Sequence, residues 1–419
     1  MAKILLHTLV FPPDGNSNAY IFGDLALELK NLGHELVVLT TTPHYNLDEE
    51  ALRAQPMRPE RGDWLLKSDY YGIPCYHIKV PQVKGSIATR MKTAILFHGL
   101  GFYAALGKEF SCDVVLSQSP PLSIGLVSAW IAKKHRAKAV YLVQDIFPDG
   151  LIDQGKIKNP LLIRFLRLLE RKVYKSSDAV TSISDGLVEI LRKRVPATTL
   201  LRTIPNFVNT ELYRPLPRHS DFSKEHGLDD RFVASYVGNM GNAQNFAPVM
   251  AAAKALKGLP FKFILAGGGI KQEALAREAR EKNLENLEVW GYQPREVTPV
   301  INASSDLCLV LLSSHVKNFS FPSKIYTIMA CGRPILLYGH PEADVSRFVQ
   351  ESKIGWVVPD GDVEGFCETL KRLSGDRQTL DEYGRRALAL AKERFTAKAV
   401  AHSYDDLFAT LTGTGRKTA

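Results

Sequence analysis

One pattern recurs along this chain and fixes its fold class. A short β-branched run is followed by a loop of Gly, Pro, Asn or Ser, then by a helical period. In the first half the pattern predicts strands at Ile4–Phe11, Glu35–Thr41, Pro74–Val80, Asp113–Ser117, Ala139–Gln144, Ala179–Ser182 and Leu201–Pro205, with helices over about 18–33, 86–109, 121–135, 160–176 and 184–194. The stretch 208–230, rich in Pro, Arg and Asp, reads as a linker. The pattern then restarts, with strands predicted at Phe232–Val237, Phe261–Ala266, Leu287–Trp290, Leu307–Leu312, Ile335–Tyr338 and Trp356–Val358, and at least two helices from Val363 to Leu411. Strands alternating with helices predict parallel sheets covered on both faces. A chain of 419 residues also exceeds what one ordinary core holds. The expectation is an α/β protein of two doubly wound domains, 1–206 and 207–395, with a helix over 396–419 that crosses back to the first.

Composition narrows the class. Hydrophobic content of 45% and charged content of 23% suit a globular protein. The longest apolar run, Ala94 to Leu106, is 13 residues interrupted by His98, too short to span a bilayer. Ile4 to Phe11 is followed by Pro12-Pro13-Asp14-Gly15 rather than by a small-residue cleavage site, so it reads as a first buried strand and not a signal peptide. Five scattered cysteines show neither a CxxC nor a ligand-like pairing, which fits a reducing cytoplasm and no metal site. Of the net charge of +9, +6 lies in residues 1–200 (25 Lys/Arg against 19 Asp/Glu). Arg164, Arg167, Arg171, Lys172 and Lys175 interleave with Leu161, Leu162, Phe165, Leu168 and Leu169, a basic amphipathic helix that can lie on an anionic membrane. The alternative is a helix packed on a sheet with a solvated basic face. Without an aromatic-interleaved basic groove, nucleic acid is not an expected partner.

Open α/β sheets bind ligands beyond the carboxyl ends of their strands. Polar loops fall at those ends in both halves. The first half offers Gly15, Asn16 and Asn18 after the first strand, and Gln144, Asp145 and Asp149 after the fifth. Asp145 directly follows a buried strand, where a carboxylate can act as a base or orient a hydroxyl; a capping role in the next turn is the plain alternative. The second half offers Gly238-Asn239-Met240-Gly241 with Gln244, and Gly267-Gly268-Gly269. Gly238 and Gly241 bracket a strand-to-helix turn where backbone can approach a phosphate. Neither glycine loop has the spacing of the dinucleotide fingerprint, and no Walker loop is present. Pro322-Ser323-Lys324 opens a short helix, with Ser323 as the expected N-cap and Gly332 as its stop. A cation in a first turn opposes the helix dipole, so Lys324 makes sense beside a bound anion, or else as an ordinary solvated lysine. His7, His34 and His98 fall in or beside apolar runs and read as structural.

Taken in order, Phe11-Pro12-Pro13 with Gly15, Gly33-His34-Glu35, Val143-Gln144-Asp145-Ile146-Phe147-Pro148, Ile204-Pro205-Asn206-Phe207-Val208-Asn209, Tyr236-Val237-Gly238-Asn239-Met240-Gly241, Gly267-Gly268-Gly269, Pro322-Ser323-Lys324 and Ala330-Cys331-Gly332-Arg333-Pro334 resemble a GT-B glycosyltransferase. The resemblance spans nearly the whole chain. It is to the large retaining group 1 family that includes sucrose synthases and many bacterial lipopolysaccharide and capsule enzymes. The Gln-Asp-Ile-Phe-Pro and Pro-Ser-Lys pieces are similar to a subgroup building O-antigen and exopolysaccharide units, amino-sugar transferases on lipid-linked acceptors among them. The resemblance implies two Rossmann-like domains facing across a cleft. It implies a nucleotide-sugar donor held by Gly238, Asn239, Met240, Gly241, Gln244, Gly268, Pro322, Ser323, Lys324 and Thr327. It also implies an acceptor and sugar side at Gly15, Asn16, Asn18 and Gln144, with Asp145 and Lys324 as the catalytic pair. Transfer with retention, to a hydroxyl of a glycan, lipid-linked or small-molecule acceptor, would need neither metal nor cofactor; such an enzyme would be cytoplasmic, with peripheral contact to an anionic membrane. The chain departs from the family pattern at Asn239 and Gln244, where many members carry Arg and Lys, and at Phe319 and Thr327, where many carry glutamates. Two alternatives share the fold: a sugar-nucleotide 2-epimerase, and a nucleotide-sugar-binding subunit with weakened catalysis.

Overall fold

The computed structural model describes residues 1–15, 17–44, 49–81, 87–153, 155, 157–313 and 321–413. It divides into two compact units, 1–206 with 397–419, and 207–396. The stretch 208–230 belongs to the second unit, and it is not a loose linker. Arg218 is buried there, donating from Nε and Nη2 to the two carboxylate oxygens of Asp306 at 3.1 and 3.0 Å. A cation satisfied this way inside the protein anchors its segment; proline and charge content had masked that.

The first unit holds nine strands: β1 Lys3–His7, β2 Glu35–Thr41, β3 Arg58–Arg61, β4 Leu65–Tyr70, β5 Ile73–Ile78, β6 Val114–Gln118, β7 Lys138–Val143, β8 Ala179–Ser182 and β9 Leu200–Thr203, in spatial order β3-β4-β5-β2-β1-β6-β7-β8-β9. Strands β5, β2, β1 and β6 to β9 pair in parallel, with β1 central and its residues 4–6 at most 1% exposed. The expectation of wholly parallel sheets fails at one edge, where β3–β4–β5 is an antiparallel meander. Its tight turn uses Tyr71 and Gly72, both at positive φ. The charged 58–63 segment hid it, because an edge strand need bury only one face. Helices α1 Ser17–Asn31, α2 Ile87–Ala104, α3 Ile124–His135 and α4 Pro160–Ser176 follow strands of this sheet. Gly125 lets α3 approach α4 closely, since a Cβ there would fall 2.4 Å from Val173. The last helix, Ala397–Thr412, packs on α1, and its Asp405 lies 3.1 Å from His34.

The second unit carries β10 Phe232–Val237, β11 Phe261–Ala266, β12 Leu287–Trp290, β13 Leu307–Leu311, β14 Ile335–Gly339 and β15 Gly355–Pro359, all parallel in the order β12-β11-β10-β13-β14-β15. The order reverses beside β10 and β13, the kind of switch point where such sheets bind ligands. Three helices matter to the site: α5 Ala247–Ala255, α6 Gln272–Glu281 and α7 Lys324–Ala330.

Candidate active site

In the second unit, β10 ends at Val237 and α5 begins only at Ala247, so the Gly238–Gln244 segment is a loop of its own rather than a direct strand-to-helix turn. Its glycines are set by close approach. Gly267, at φ +145°, lies so near Gly238 that a Cβ would sit 2.0 Å from the Gly238 carbonyl oxygen. Gly238, at φ +142°, faces Lys324, whose Nζ is 2.9 Å from where a Cβ would be. Few residues besides glycine adopt such dihedrals. Two glycine loops and Lys324 therefore meet at the carboxyl edge of β10 and β11.

Lys324 is the unusual group. Its Nζ is buried and has no hydrogen-bond partner among the described residues. It sits 3.3 Å from the centroid of the Tyr236 ring. Burial alone pulls its pKa well below the ordinary lysine value, and no carboxylate contributes to the shift. Tyr236 in turn donates from its hydroxyl to the Asn239 carbonyl at 2.6 Å, bracing the loop.

The remaining second-unit candidates divide. Asn239 is exposed and lies between Gly241 and Gly269, its side-chain amide 2.8 Å from where a Cβ on either glycine would stand. Gly268 accepts the Met240 N–H at 2.8 Å and stitches the two glycine loops together. Met240 itself is fully buried in the core, so it supports the loop and offers no side chain to a ligand. The Gly241 N–H is already taken by Gln244 Oε1 at 3.0 Å, so that amide is not aimed at a phosphate. Ser323 does not cap α7: it is in the right-handed helical region and makes no side-chain cap bond. The turn begins instead with the Ile325 N–H on the Pro322 carbonyl, at 3.1 Å. Gly332, at φ +68°, does end the helix. The Thr327 hydroxyl donates 2.8 Å back to the Lys324 carbonyl, inside its own helix. Asn16 and Phe319 lie outside the described residues.

One cation escaped the sequence reading. Lys271, at the start of α6, donates from Nζ to the Gln244 carbonyl at 2.6 Å and so stands beside the same loop. The only signal was its place two residues after Gly267-Gly268-Gly269.

In the first unit, Asp145 is exposed beyond the carboxyl end of β7. Desolvation by the protein around its carboxyl nonetheless raises its pKa to about 6. Gln144 is buried and is not available to a sugar, because both ends of its amide are held by Asn206, at 3.1 and 2.8 Å. Asp149 is buried and paired with Arg194, which also holds Glu170, so it reads as a structural carboxylate. Gly15 and Asn18 lie half-buried at the entry to α1, beside Asp14, whose carboxylate accepts the His44 N–H at 2.9 Å. His7 and His98 are held by Ser128 and Ser123, each at 2.7 Å, and burial lowers their pKa values to about 3 and about 4. Both stay neutral at physiological pH and serve the interior. Among the described residues, no three His, Cys, Asp or Glu side chains gather as a metal site requires, and no helix is long and apolar enough to cross a membrane.

Comparison with known proteins gives a consistent picture. Residues 18–206 match the glycosyl transferase 4-like domain, and residues 231–376 match glycosyl transferases group 1. A Pseudomonas aeruginosa protein named a probable glycosyltransferase is 28% identical over 265 residues, covering 61% of this chain and 66% of its own length. An Escherichia coli K12 protein, named provisionally as a colanic acid biosynthesis glycosyl transferase, is 23% identical over 338 residues, covering 79% and 81%. Among solved structures, the sucrose-phosphate synthase of Thermosynechococcus elongatus superposes with TM-score 0.72 at 16% identity, covering 99% of this chain and 100% of that one. Anabaena HepE with UDP-glucose gives 0.70 at 15% identity, covering 98% and 100%. At these identities the structural likeness speaks for the fold.

Proposed function

We propose, from the premise that this chain belongs to the glycosyl transferases group 1 family and is a GT-B glycosyltransferase, that it moves a sugar from a nucleoside diphosphate to an acceptor hydroxyl with retention of configuration, in polysaccharide biosynthesis. The observation that carries the donor half of this reading is the buried, unpartnered Lys324 ammonium beside the Gly238 and Gly267 backbone. A charge left without a counter-ion in the interior is costly, and a diphosphate would relieve it. UDP is the first nucleotide to test, since Anabaena HepE was solved with UDP-glucose. Lys271 would add a second cation at the Gln244 end of the Gly238–Gln244 loop.

In the reaction, the acceptor hydroxyl oxygen bonds to the anomeric carbon as the bond from that carbon to the diphosphate oxygen breaks. The hydroxyl proton passes to the departing phosphate oxygen on the same face. The ammonium of Lys324 stabilises the charge growing on that diphosphate, where fixed donors in a dry site act most strongly. No metal is assigned a role. Asp145, ionised above pH 6, would orient the acceptor hydroxyl or counter positive charge on the sugar. The acceptor class we favour is a growing glycan, because sequence similarity extends to the E. coli relative named for colanic acid biosynthesis.

The test is a thermal-shift screen of nucleoside diphosphates, followed by transfer assays with the nucleotide-sugar that binds. Stabilisation by UDP and sugar transfer abolished in Lys324→Met are expected. No stabilisation by any nucleoside diphosphate would overturn the donor assignment. Turnover of a UDP-sugar without an acceptor would favour an epimerase instead.

A further inference from the structure

Asp145 is held in place by its neighbours along the chain. Protein crowding its carboxyl is the sole cause of its raised pKa, and no cation or hydrogen-bond donor contributes. A side chain with no such partner is aimed by its backbone, so the residues on either side decide where the carboxylate stands. Both sides are pinned to distant parts of the first unit. On the strand side, the Gln144 N–H donates to the Ser119 hydroxyl at 3.1 Å, and the Gln144 amide closes on Asn206, 62 positions away. On the other side Ile146 is fully buried, and its carbonyl accepts the Gly150 N–H at 3.1 Å, closing 146–150 as one turn. Asp149 stands in that turn, buried, at the start of the short helix Asp149–Asp153. Its Oδ2 accepts from Nη2 of Arg194, 45 positions away, and its Oδ1 lies 3.6 Å from Arg167.

Arg194 does more than neutralise Asp149. Its Nη1 donates to Glu170 Oε1 at 3.1 Å. Glu170 is buried on α4 and also accepts from the Tyr174 hydroxyl at 3.0 Å. One guanidinium therefore ties the Asp145 segment to α4. Arg194 is itself fixed just past the helix Asp185–Arg192, where its N–H returns to the Leu191 carbonyl at 2.8 Å. A solvated ion pair would hold little, but Asp149 and Glu170 are only 7% and 3% exposed. Charge-assisted bonds to buried carboxylates are short and directional.

We infer that Arg194 is a positioning residue for transfer: through Asp149 it clamps the segment that presents Asp145, against the Gln144–Asn206 pin at the other end. Arg194 and Asp149 are given no contact with a reacting atom, and they act through where Asp145 stands. The two pins bracket the exposed carboxylate and leave little slack between them. A misplacement of about 1 Å at a catalytic group costs on the order of 100-fold in rate, so a clamp on the backbone beside Asp145 bears directly on turnover. Its use in transfer rests on the role proposed for Asp145; the clamp itself does not.

The full chain is compared as wild type, Asp145→Asn, Asp149→Ala, Arg194→Gln and the double variant Asp149→Ala/Arg194→Gln. The Asp145 carboxyl is titrated by carbon-13 NMR, its signal identified by its loss in Asp145→Asn, and kcat and KM are measured with the UDP-sugar and acceptor active in the transfer assay. In the wild type the midpoint is expected at about 6. With the clamp cut, the segment moves outward and water reaches the carboxylate, so the midpoint falls toward the ordinary aspartate value of about 4. On the same variants kcat falls on the order of 100-fold, while donor KM and stabilisation by UDP stay at wild-type values. The double variant is no slower than the slower single one, because both substitutions cut one link. Arg194→Gln leaves two buried carboxylates uncompensated, so Asp149→Ala, which leaves Arg194 on Glu170, carries the test where that variant unfolds. Wild-type kcat and an unmoved midpoint in Asp149→Ala overturn the inference, and a lowered melting temperature beside them shows a clamp that only holds the fold. Wild-type transfer by Asp145→Asn refutes instead the role given to Asp145, and a midpoint moved in Asp149→Ala then leaves the clamp standing without it.

Discussion

Replacing Lys324 by Met separates two roles that usually look alike. Met keeps the length of the side chain and removes the charge. In the unliganded protein the ammonium is held by the Tyr236 ring at 3.3 Å and by no hydrogen bond among the described residues. A desolvated cation–π contact returns about 2 kcal/mol. Dehydrating the ion costs several kcal/mol even after relaxation. The balance says that Lys324→Met raises the melting temperature of the free protein. Ligand binding should move the other way. Removing one partner of a buried charge pair costs about 2–5 kcal/mol, and about 2.7 kcal/mol corresponds to roughly 100-fold in affinity. At UDP about 100-fold above the wild-type Kd, the wild type gains about 2.7 kcal/mol of stability, and the variant only about 0.4 kcal/mol. Differential scanning fluorimetry with and without UDP reads both quantities. A variant whose free melting temperature falls while its UDP shift stays intact would show that Lys324 is structural, and the donor assignment would go with it.

Three further outcomes follow from the same geometry. With the Asp145 pKa raised to about 6, the carboxylate is ionised above that pH, so kcat/KM should fall tenfold per unit below it; if the residual activity of Asp145→Asn keeps the same acid limb, another group is responsible. UDP binding should restore the depressed pKa of Lys324, so within the window between the free and bound values binding takes up a proton and tightens as pH falls. Calorimetry in buffers of different ionisation enthalpy measures this, and zero proton uptake across the range would contradict it. Gly267→Ala should destabilise the second unit, since its Cβ would fall 2.0 Å from the Gly238 carbonyl oxygen at φ +145°; strained dihedrals alone cost about 1–3 kcal/mol, and a thermal melt equal to wild type would show that the two loops can separate.

The strand–helix alternation was legible because burial on both faces forces continuous apolar strands, and the parallel cores of both units follow it. Gly332 was legible as well, since few other residues end a helix in the left-handed region. The β3–β4 hairpin was not: edge strands tolerate charge, and Arg58 to Asp63 looks like any loop. Ser323 has the right identity for a cap but the wrong backbone, a distinction that depends on ψ and not on sequence. Gln144 and Asn206 find each other across 62 positions, and Met240 is turned into the core by the loop that Gly268 stitches. These are tertiary outcomes that a local pattern does not encode. The fold was therefore more readable than the site, and within the site the glycines more than the polar side chains.

Lys271 shows how a loop can lose its own cations and keep its electrostatics. Asn239 and Gln244 stand in the turn where the family resemblance leads one to expect Arg and Lys, which suggests a weakened grip on a diphosphate. The structure brings Lys271 from the start of α6 to the Gln244 carbonyl at 2.6 Å, and Lys324 from α7 to the Gly238 side of the loop. An ammonium has three donors, and this bond uses one of those on Lys271. Charge stabilisation depends on where the positive groups stand relative to the oxygens they meet, and not on which segment supplies them. Two cations beside one glycine-rich loop, one held by the Gln244 carbonyl and the other stored against the Tyr236 ring near Gly238, can both serve a diphosphate. The reading of the chain as a weakened binding subunit rests instead on Phe319 and Thr327, where many family members carry glutamates, and the two cations answer only the loss in the turn.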